Sequence, residues 1–312
     1  MKNLSKKTVF LIVAAIVSAI GTFIYFSAPA YLYNKFIDDQ RKAAGLTVKS
    51  IDIPDFKIVY AEGGAGETII MLHGFGGNKD NWPAFAKYFT SNYRVIIPDL
   101  PGFGDSTKLK DGEFSIMFEV EKVHLFTKAL KLTKFHLAGH SMGGNIAGNY
   151  AVTYPEMVKT LTLIDAARVI TPIKSEFDIL MEKGMNPYVI KNVKDFDAFM
   201  EFMYYKPPQI PSFLKNHISK ELIKVYSLYE KSFNEGWEKS IFPESKIRKI
   251  NAPTLIIWGD SDKNLHVSSA GIFEKNIKNS KVAIIKECGH SPIMEKPAET
   301  ASVYQNFLKG RK

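Results

Sequence analysis

Gly139-His140-Ser141-Met142-Gly143 is the stretch on which the reading of this chain turns. It follows Phe135-His136-Leu137-Ala138, which reads as a strand, and precedes a small-residue run from Gly144 to Ala151 that reads as a helix. A serine flanked at two residues' distance by glycines, between a strand and a helix, is the pattern of a nucleophile elbow. The glycines leave room for the sharp turn and for close approach of the helix to the strand. Ser141 is then expected to stand exposed at the carboxyl edge of a sheet, over a helix N-terminus. The five residues alone would also suit an ordinary glycine-rich turn, so their meaning rests on what surrounds them.

Upstream, Phe56 to Tyr60 alternates as a strand does, and Thr68 to Leu72 reads as a short strand buried on both faces. The latter ends in His73-Gly74-Phe75-Gly76-Gly77. A backbone that turns amides toward a developing negative charge needs small residues, and a hydrolase needs such a loop two strands before its elbow. Phe75 N–H is assigned as one oxyanion donor, and the N–H of Met142, the residue after the serine, as the other. Tyr93 to Pro98 is the next strand, running into the Gly/Pro-rich turn Asp99 to Ser106. Asp99 is expected to be a structural turn carboxylate. Phe114 to Leu130 is an amphipathic helix whose His124 is expected at the surface, and Thr160 to Ile164 is a further strand.

Downstream, two apolar runs each end just before residues of chemical interest. Pro253 to Trp258 precedes Gly259-Asp260-Ser261-Asp262, and Lys281 to Lys286 precedes Gly289-His290. Together with the elbow, the His73 loop and Asp99-x-x-Gly102-x-Gly104-x-Ser106, these segments resemble the α/β-hydrolase superfamily from about Ile51 to Leu308. The resemblance implies a mostly parallel eight-stranded sheet flanked by helices, with an inserted helical cap. The continuation to Trp82 and the apolar N-terminus bring the chain near membrane-anchored monoacylglycerol lipases and related bacterial lipases.

Serine needs an adjacent base to act as a nucleophile, and the base needs a group to orient it. The order Ser141, Asp262, His290 is the order of this superfamily. Spacing from the Trp258-Gly259 pair favours Asp262 as the acid; Asp260 and Asp165 remain rivals, Asp165 because it ends an earlier strand. His140 is expected to turn its side chain away from the base position, and His140, Met203 and Tyr204 are candidate substrate-binding residues. His266 is expected at the surface, and Cys288 as a small buried filler. With one cysteine and seven scattered histidines, no metal cluster is apparent, and no cofactor or metal is required by this chemistry.

Residues 166–240 carry Met181, Met185, Tyr188, Phe196, Phe199, Met200, Phe202, Met203, Tyr204, Tyr205 and Phe213 at helical periods. They are read as a cap inserted between strands, apolar enough to hold an acyl chain or simply to pack its own core.

Thr8 to Phe26 is apolar, about as long as a bilayer core is thick, and is preceded by Lys2, Lys6 and Lys7. An uncleaved anchor with the body on the non-cytoplasmic side is expected; a signal peptide cleaved near Ala28-Pro29-Ala30 is the competitor. The chain divides into an anchor (1–27), a helical neck (28–50) whose Tyr31, Tyr33 and Phe36 suit a membrane interface or packing on the body, a core (51–165 and 241–312) and the cap. The net charge of +9 comes from dispersed lysines, which suits a solvated surface or anionic lipid, and no nucleic-acid motif accompanies it. Oligomeric state is not legible. The expected activity is cleavage of carboxylic esters with an apolar acyl chain through an acyl-enzyme on Ser141. Other hydrolases of the same fold, acting on carbon–carbon or amide bonds, and an inactive membrane-tethered binding protein are the alternatives.

Overall fold

The computed structural model describes residues 5, 7, 27–109, 114–237 and 240–310. The apolar stretch Thr8 to Phe26 lies outside them. Among the described residues no helix is long and apolar enough to cross a membrane.

Eight strands form one sheet: β1 (Leu46–Ile53), β2 (Phe56–Gly63), β3 (Thr68–Leu72), β4 (Arg94–Pro98), β5 (Phe135–His140), β6 (Val158–Ile164), β7 (Thr254–Gly259) and β8 (Ser280–Ile285). Their spatial order is β1-β2-β4-β3-β5-β6-β7-β8. The pairs β1·β2 and β2·β4 are antiparallel, and all the others are parallel. This is the mostly parallel eight-stranded sheet that the resemblance implies.

The central strands are apolar throughout because helices cover both faces. Alternate residues of β3 feed two cores. On one face Ile70 and Leu72 join Val120, Phe126, Ile146, Tyr150 and Trp258. On the other, Ile69 and Met71 join Trp82, Phe85, Phe89, Tyr304 and Phe307. Helices Ile116–Ala129 and Met142–Thr153 lie over the first face, and Pro297–Lys309 over the second.

From β3 the chain passes to β4 on one side and then to β5 on the other. Such a switch point opens a crevice at the carboxyl ends of the strands, where open α/β sheets bind ligands. The His73 loop and the Ser141 turn leave β3 and β5 on its two sides.

One boundary differs from expectation. The neck helix covers residues 27–43, and Leu46 to Ser50, read as part of the neck, form the first half of β1. This edge strand is exposed along most of its length, so it lacks the apolar alternation that marks a strand in sequence.

Between β6 and β7 the chain makes a helical insertion with helices Glu176–Glu182, Val193–Met203 and Ser212–Trp237. Phe177, Tyr188, Ile190, Phe196, Phe199 and Phe202 form its own buried cluster. The first of its helices starts on a capping box in which Ser175 and Asp178 satisfy each other's backbone N–H.

Candidate active site

Ser141 follows β5 and caps the helix Met142–Thr153 with φ 53° and ψ −121°. A non-glycine residue at positive φ is strained, and the turn is held by several bonds. Ser141 N–H donates to Ile164 C=O (2.9 Å), while its own C=O accepts from Ala167 N–H (3.0 Å) and Gly144 N–H (2.9 Å). A Cβ at Gly139 would lie 2.1 Å from Gly143 O, and one at Gly143 would lie 2.3 Å from Leu72 O. The two glycines thus allow strand, turn and helix to pack against the end of β3. The serine side chain makes no capping bond to the helix. Its hydroxyl lies 3.0 Å from His290 Nε2.

His290 is buried on the loop after β8. Its Nδ1–H donates to Asp262 Oδ2 at 2.8 Å, which leaves Nε2 as the acceptor for the Ser141 hydroxyl. Asp262 sits in the turn after β7, where its Oδ1 accepts from the N–H groups of Asn264 (2.8 Å) and Leu265 (2.9 Å). The backbone therefore aims one oxygen and leaves the other for the imidazole.

The rival acids have other partners. Asp260 accepts from the Ser261 hydroxyl (2.9 Å) and holds its own turn. Asp165 is fully buried at the end of β6 with φ 41°, and its Oδ1 accepts from Gly259 N–H (2.9 Å). Burial first, and the nearby Asp262 second, push its carboxyl well above the ordinary range, toward the neutral acid.

His140 does not turn away from the base. Its ring lies 5.0 Å from that of His290, and its Nε2–H donates to His290 C=O at 2.6 Å. Burial, with His290 beside it, lowers its pKa to about 3, so the ring is neutral. One nitrogen of each histidine and an oxygen of Asp165 lie within 4.8 Å of one another. Metal ligation there would compete with existing bonds, because both nitrogens of His290 and Nε2 of His140 already have partners.

The His73 loop comes up against Ser141: a Cβ at Gly74 would lie 3.0 Å from Ser141 Cβ. His73 Nδ1–H donates to Gly74 C=O (2.8 Å), and its Nε2 accepts from Leu100 N–H (3.0 Å). Burial lowers its pKa and keeps this tautomer uncharged. Behind the loop lies Lys79, buried, with its ammonium on Asp99 (2.9 Å) and Asp105 (2.6 Å). Burial works against that charge, but the carboxylates outweigh it and hold the ammonium above its usual pKa. Asp99 also accepts from Lys79 N–H (2.6 Å) and Asp105 N–H (2.8 Å), the structural role expected of it. Sequence reading named Asp99 but missed Lys79, since nothing in a lysine's position announces burial.

Met142 follows Ser141 as the first residue of the helix, and Phe75 follows Gly74 in the loop that abuts Ser141. The Phe75 ring packs on Phe103 (5.7 Å) and Phe114 (5.8 Å) and touches both the sheet core and the insertion's core. Met203 and Tyr204 end the insertion's middle helix beside the His290 loop, where Met203 C=O accepts from His290 N–H (2.8 Å). Burial raises the Tyr204 hydroxyl to about 12, and it lies 3.6 Å from Met294 sulfur. Cys288 is buried, and burial raises its thiol far above the reactive range. His266 is half-buried and bonded to Ser268 (2.8 Å), while His124 stacks on Tyr154.

A hydroxyl, an imidazole and an oriented carboxylate in this sequence of bonds can generate an alkoxide-like nucleophile at neutral pH. Comparison with known proteins agrees with that chemistry. A family model described as alpha/beta hydrolase fold matches residues 67–297. Lipase 1 of Psychrobacter immobilis is 35% identical over 281 residues, covering 88% of each chain. Monoacylglycerol lipase ABHD6 of Rattus norvegicus is 33% identical, covering 86% of this chain and 84% of its own. The crystal structure of a membrane phospholipase A, described as a bacterial virulence factor, superposes with a TM-score of 0.91 at 37% identity, over 97% of this chain and 98% of that one.

Proposed function

The chain belongs to the alpha/beta hydrolase fold family, and from that premise we propose that Ser141, His290 and Asp262 are its catalytic residues. The protein is an ester-hydrolysing serine hydrolase of the lipase and esterase type. The observation that carries the residue assignment is the unbroken bond path from Ser141 Oγ through His290 to Asp262.

In the proposed cycle the Ser141 hydroxyl attacks the ester carbonyl while His290 Nε2 takes its proton. Asp262 stays ionised and holds the imidazolium. The amides of Phe75 and Met142 receive the oxyanion, each such donor contributing about 2.7–4 kcal/mol in comparable sites. The alcohol leaves with the proton from His290, and water then repeats the steps on the acyl-enzyme. His140 acts in this reading through the His290 backbone, at the edge of the substrate site, and Met203 and Tyr204 form its wall.

We read residues 166–240 as a cap over the serine. Its partly buried Met181, Met200 and Met203 and its link to Phe75 support an adaptable apolar slot for an acyl chain. A monoacylglycerol is the substrate this reading favours. A phospholipid is the second reading, supported by the likeness to the membrane phospholipase A. Hydrolysis of p-nitrophenyl esters from acetyl to palmitoyl, of the matching monoacylglycerols and of phospholipid vesicles, with Ser141→Ala as control, separates the readings. Serine-dependent turnover that peaks on medium or long monoacylglycerols supports the first. Turnover confined to short esters would overturn the acyl-slot reading.

Membrane attachment through Thr8 to Phe26, with the body on the non-cytoplasmic side, completes the proposal; secretion after cleavage is its alternative. On the adjoining neck helix, Tyr31 and Phe36 are 67% and 57% exposed, as residues at a lipid interface would be. Tyr33 instead packs edge-on against His217 of the insertion at 5.7 Å. Arg41 ties the neck to Asp80, beside the His73 loop, with Nε at 2.6 Å and Nη2 at 2.5 Å. The membrane-bound protein should resist extraction at high pH, and its N-terminal sequence should not begin at Tyr31.

A further inference from the structure

A base that must stay within hydrogen-bond reach of its nucleophile needs a fixed loop, and three backbone bonds fix the loop of His290. Gly289 N–H donates to Glu295 Oε1 at 2.5 Å, and Lys206 N–H, from the insertion, donates to Glu295 Oε2 at 2.9 Å. His290 N–H donates to Met203 C=O at 2.8 Å. The strap Met203-Tyr204-Tyr205-Lys206 therefore lies directly across the histidine loop. A Cβ on Gly289 would come within 2.6 Å of Met203 O and 2.8 Å of Tyr205 N, so the strap and the loop are in backbone contact.

Glu295 ends the short helix Pro292–Glu295 that follows the histidine. Each of its two oxygens takes a different chain segment: one the base's own loop, the other the insertion. Both bonds are charge-assisted when the carboxylate is ionised, roughly twice as strong as neutral ones. Pro207 and Pro208 follow Lys206, which limits the strap's freedom to move away.

We propose that Glu295 is a positioning residue for the reaction, a clamp that sets the height of His290 by joining its loop to the insertion. It touches neither Ser141 nor the imidazole; it acts through the peptide before His290. The proposal rests on His290 being the base. It also makes the strap the fixed edge of the insertion, because lifting Lys206 would release the loop that holds the imidazole against the serine.

The test compares Glu295→Ala, Glu295→Gln and Lys206→Pro with His290→Ala on a soluble p-nitrophenyl ester, reading kcat and KM separately, with thermal melting alongside. A misplacement of about 1 Å at a reacting group can cost up to 100-fold, so Glu295→Ala should lower kcat about 30-fold with KM within about twofold. Glu295→Gln keeps one acceptor and should recover most of that loss. Lys206→Pro removes the strap's donor along with the exposed ammonium's contacts to Glu287 and Tyr205, should cost about 3-fold or more, and should add little to Glu295→Ala, as members of one network do. It also serves if Glu295→Ala fails to fold. Should His290→Ala leave kcat unchanged, the base assignment fails and this proposal with it. Should His290→Ala abolish turnover while Glu295→Ala and Lys206→Pro keep kcat within about twofold, the clamp alone is wrong, whatever happens to the melting temperature.

Discussion

The loops at the carboxyl end of the sheet and the helical insertion beside them are ordered by different forces. Ser141, Asp262 and His290 each stand one turn beyond a strand, and backbone hydrogen bonds aim them: Ser141 by Ile164 and Ala167, Asp262 by Asn264 and Leu265. The insertion is instead built on six buried apolar side chains of its own. It meets the site through backbone and side-chain bonds to the acid and base loops. Phe177 N–H donates to Lys263 C=O (3.0 Å), Asn264 to the Tyr188 hydroxyl, and His290 N–H to Met203 C=O (2.8 Å). Geometry that must be held to fractions of an ångström sits on the rigid sheet. The surface proposed to hold the acyl chain sits on side chains that can repack.

That contrast can be broken by mutation. The largest effect is expected in the sheet loops: Asp262→Asn should lower kcat about 10⁴-fold with little change in folding, while Asp165→Asn should cost far less. If steady-state kinetics gave the reverse, Asp165 would be the orienting acid. Next comes the support behind the His73 loop. Lys79→Met leaves the buried Asp99 carboxylate without its counter-ion and should cost about 3–5 kcal/mol in denaturant unfolding. An unchanged unfolding midpoint would mean the ion pair is not formed in solution.

In the insertion, Phe196→Ala opens a cavity in its core and should cost about 3 kcal/mol or more locally. Its kinetic mark should be a raised KM for long-chain esters, with kcat on an acetyl ester within about threefold. A matching collapse of kcat on the acetyl ester would show that the insertion holds the catalytic groups as firmly as the sheet does.

The smallest effect is on pH dependence. Among the described residues the insertion buries no carboxylate, whereas the core buries Glu119 with neither oxygen hydrogen-bonded. Burial raises its pKa well above the ordinary value, so the folded state keeps a proton that the unfolded chain releases. Stability from this group is then fullest below the ordinary carboxylate pKa and falls as pH rises from there toward the folded value. Glu119→Gln should flatten the melting temperature across that window without altering kcat. An unchanged slope would place the pH dependence elsewhere.

How much of this was legible in sequence follows the same division. The glycine turn at Ser141, the His73 loop and the position of Asp262 and His290 after strands were readable because glycine spacing and strand ends constrain them locally. Spacing from Trp258-Gly259 favoured Asp262 over Asp165 without closing the choice, because β6 and β7 are neighbours and deliver both carboxylates to the same buried corner. Only the third dimension shows which oxygen meets His290 Nδ1. The roles of His73, Lys79 and Glu295 were hidden for a related reason: each acts through partners distant in the chain, such as Leu100, Asp99 and Lys206. In the insertion, helical period and apolar content were plain. Which of its side chains would face the site was not, since Phe196 and Met203 look alike in a pattern that serves both packing and binding.

The assignment of Ser141 as nucleophile is tested most directly by intact-mass measurement after exposure to a fluorophosphonate. The wild-type protein should gain the mass of one adduct, Ser141→Ala should gain none, and His290→Ala should react far more slowly. Equal labelling of Ser141→Ala would contradict the assignment and, with it, the reading of the elbow on which the proposed mechanism rests.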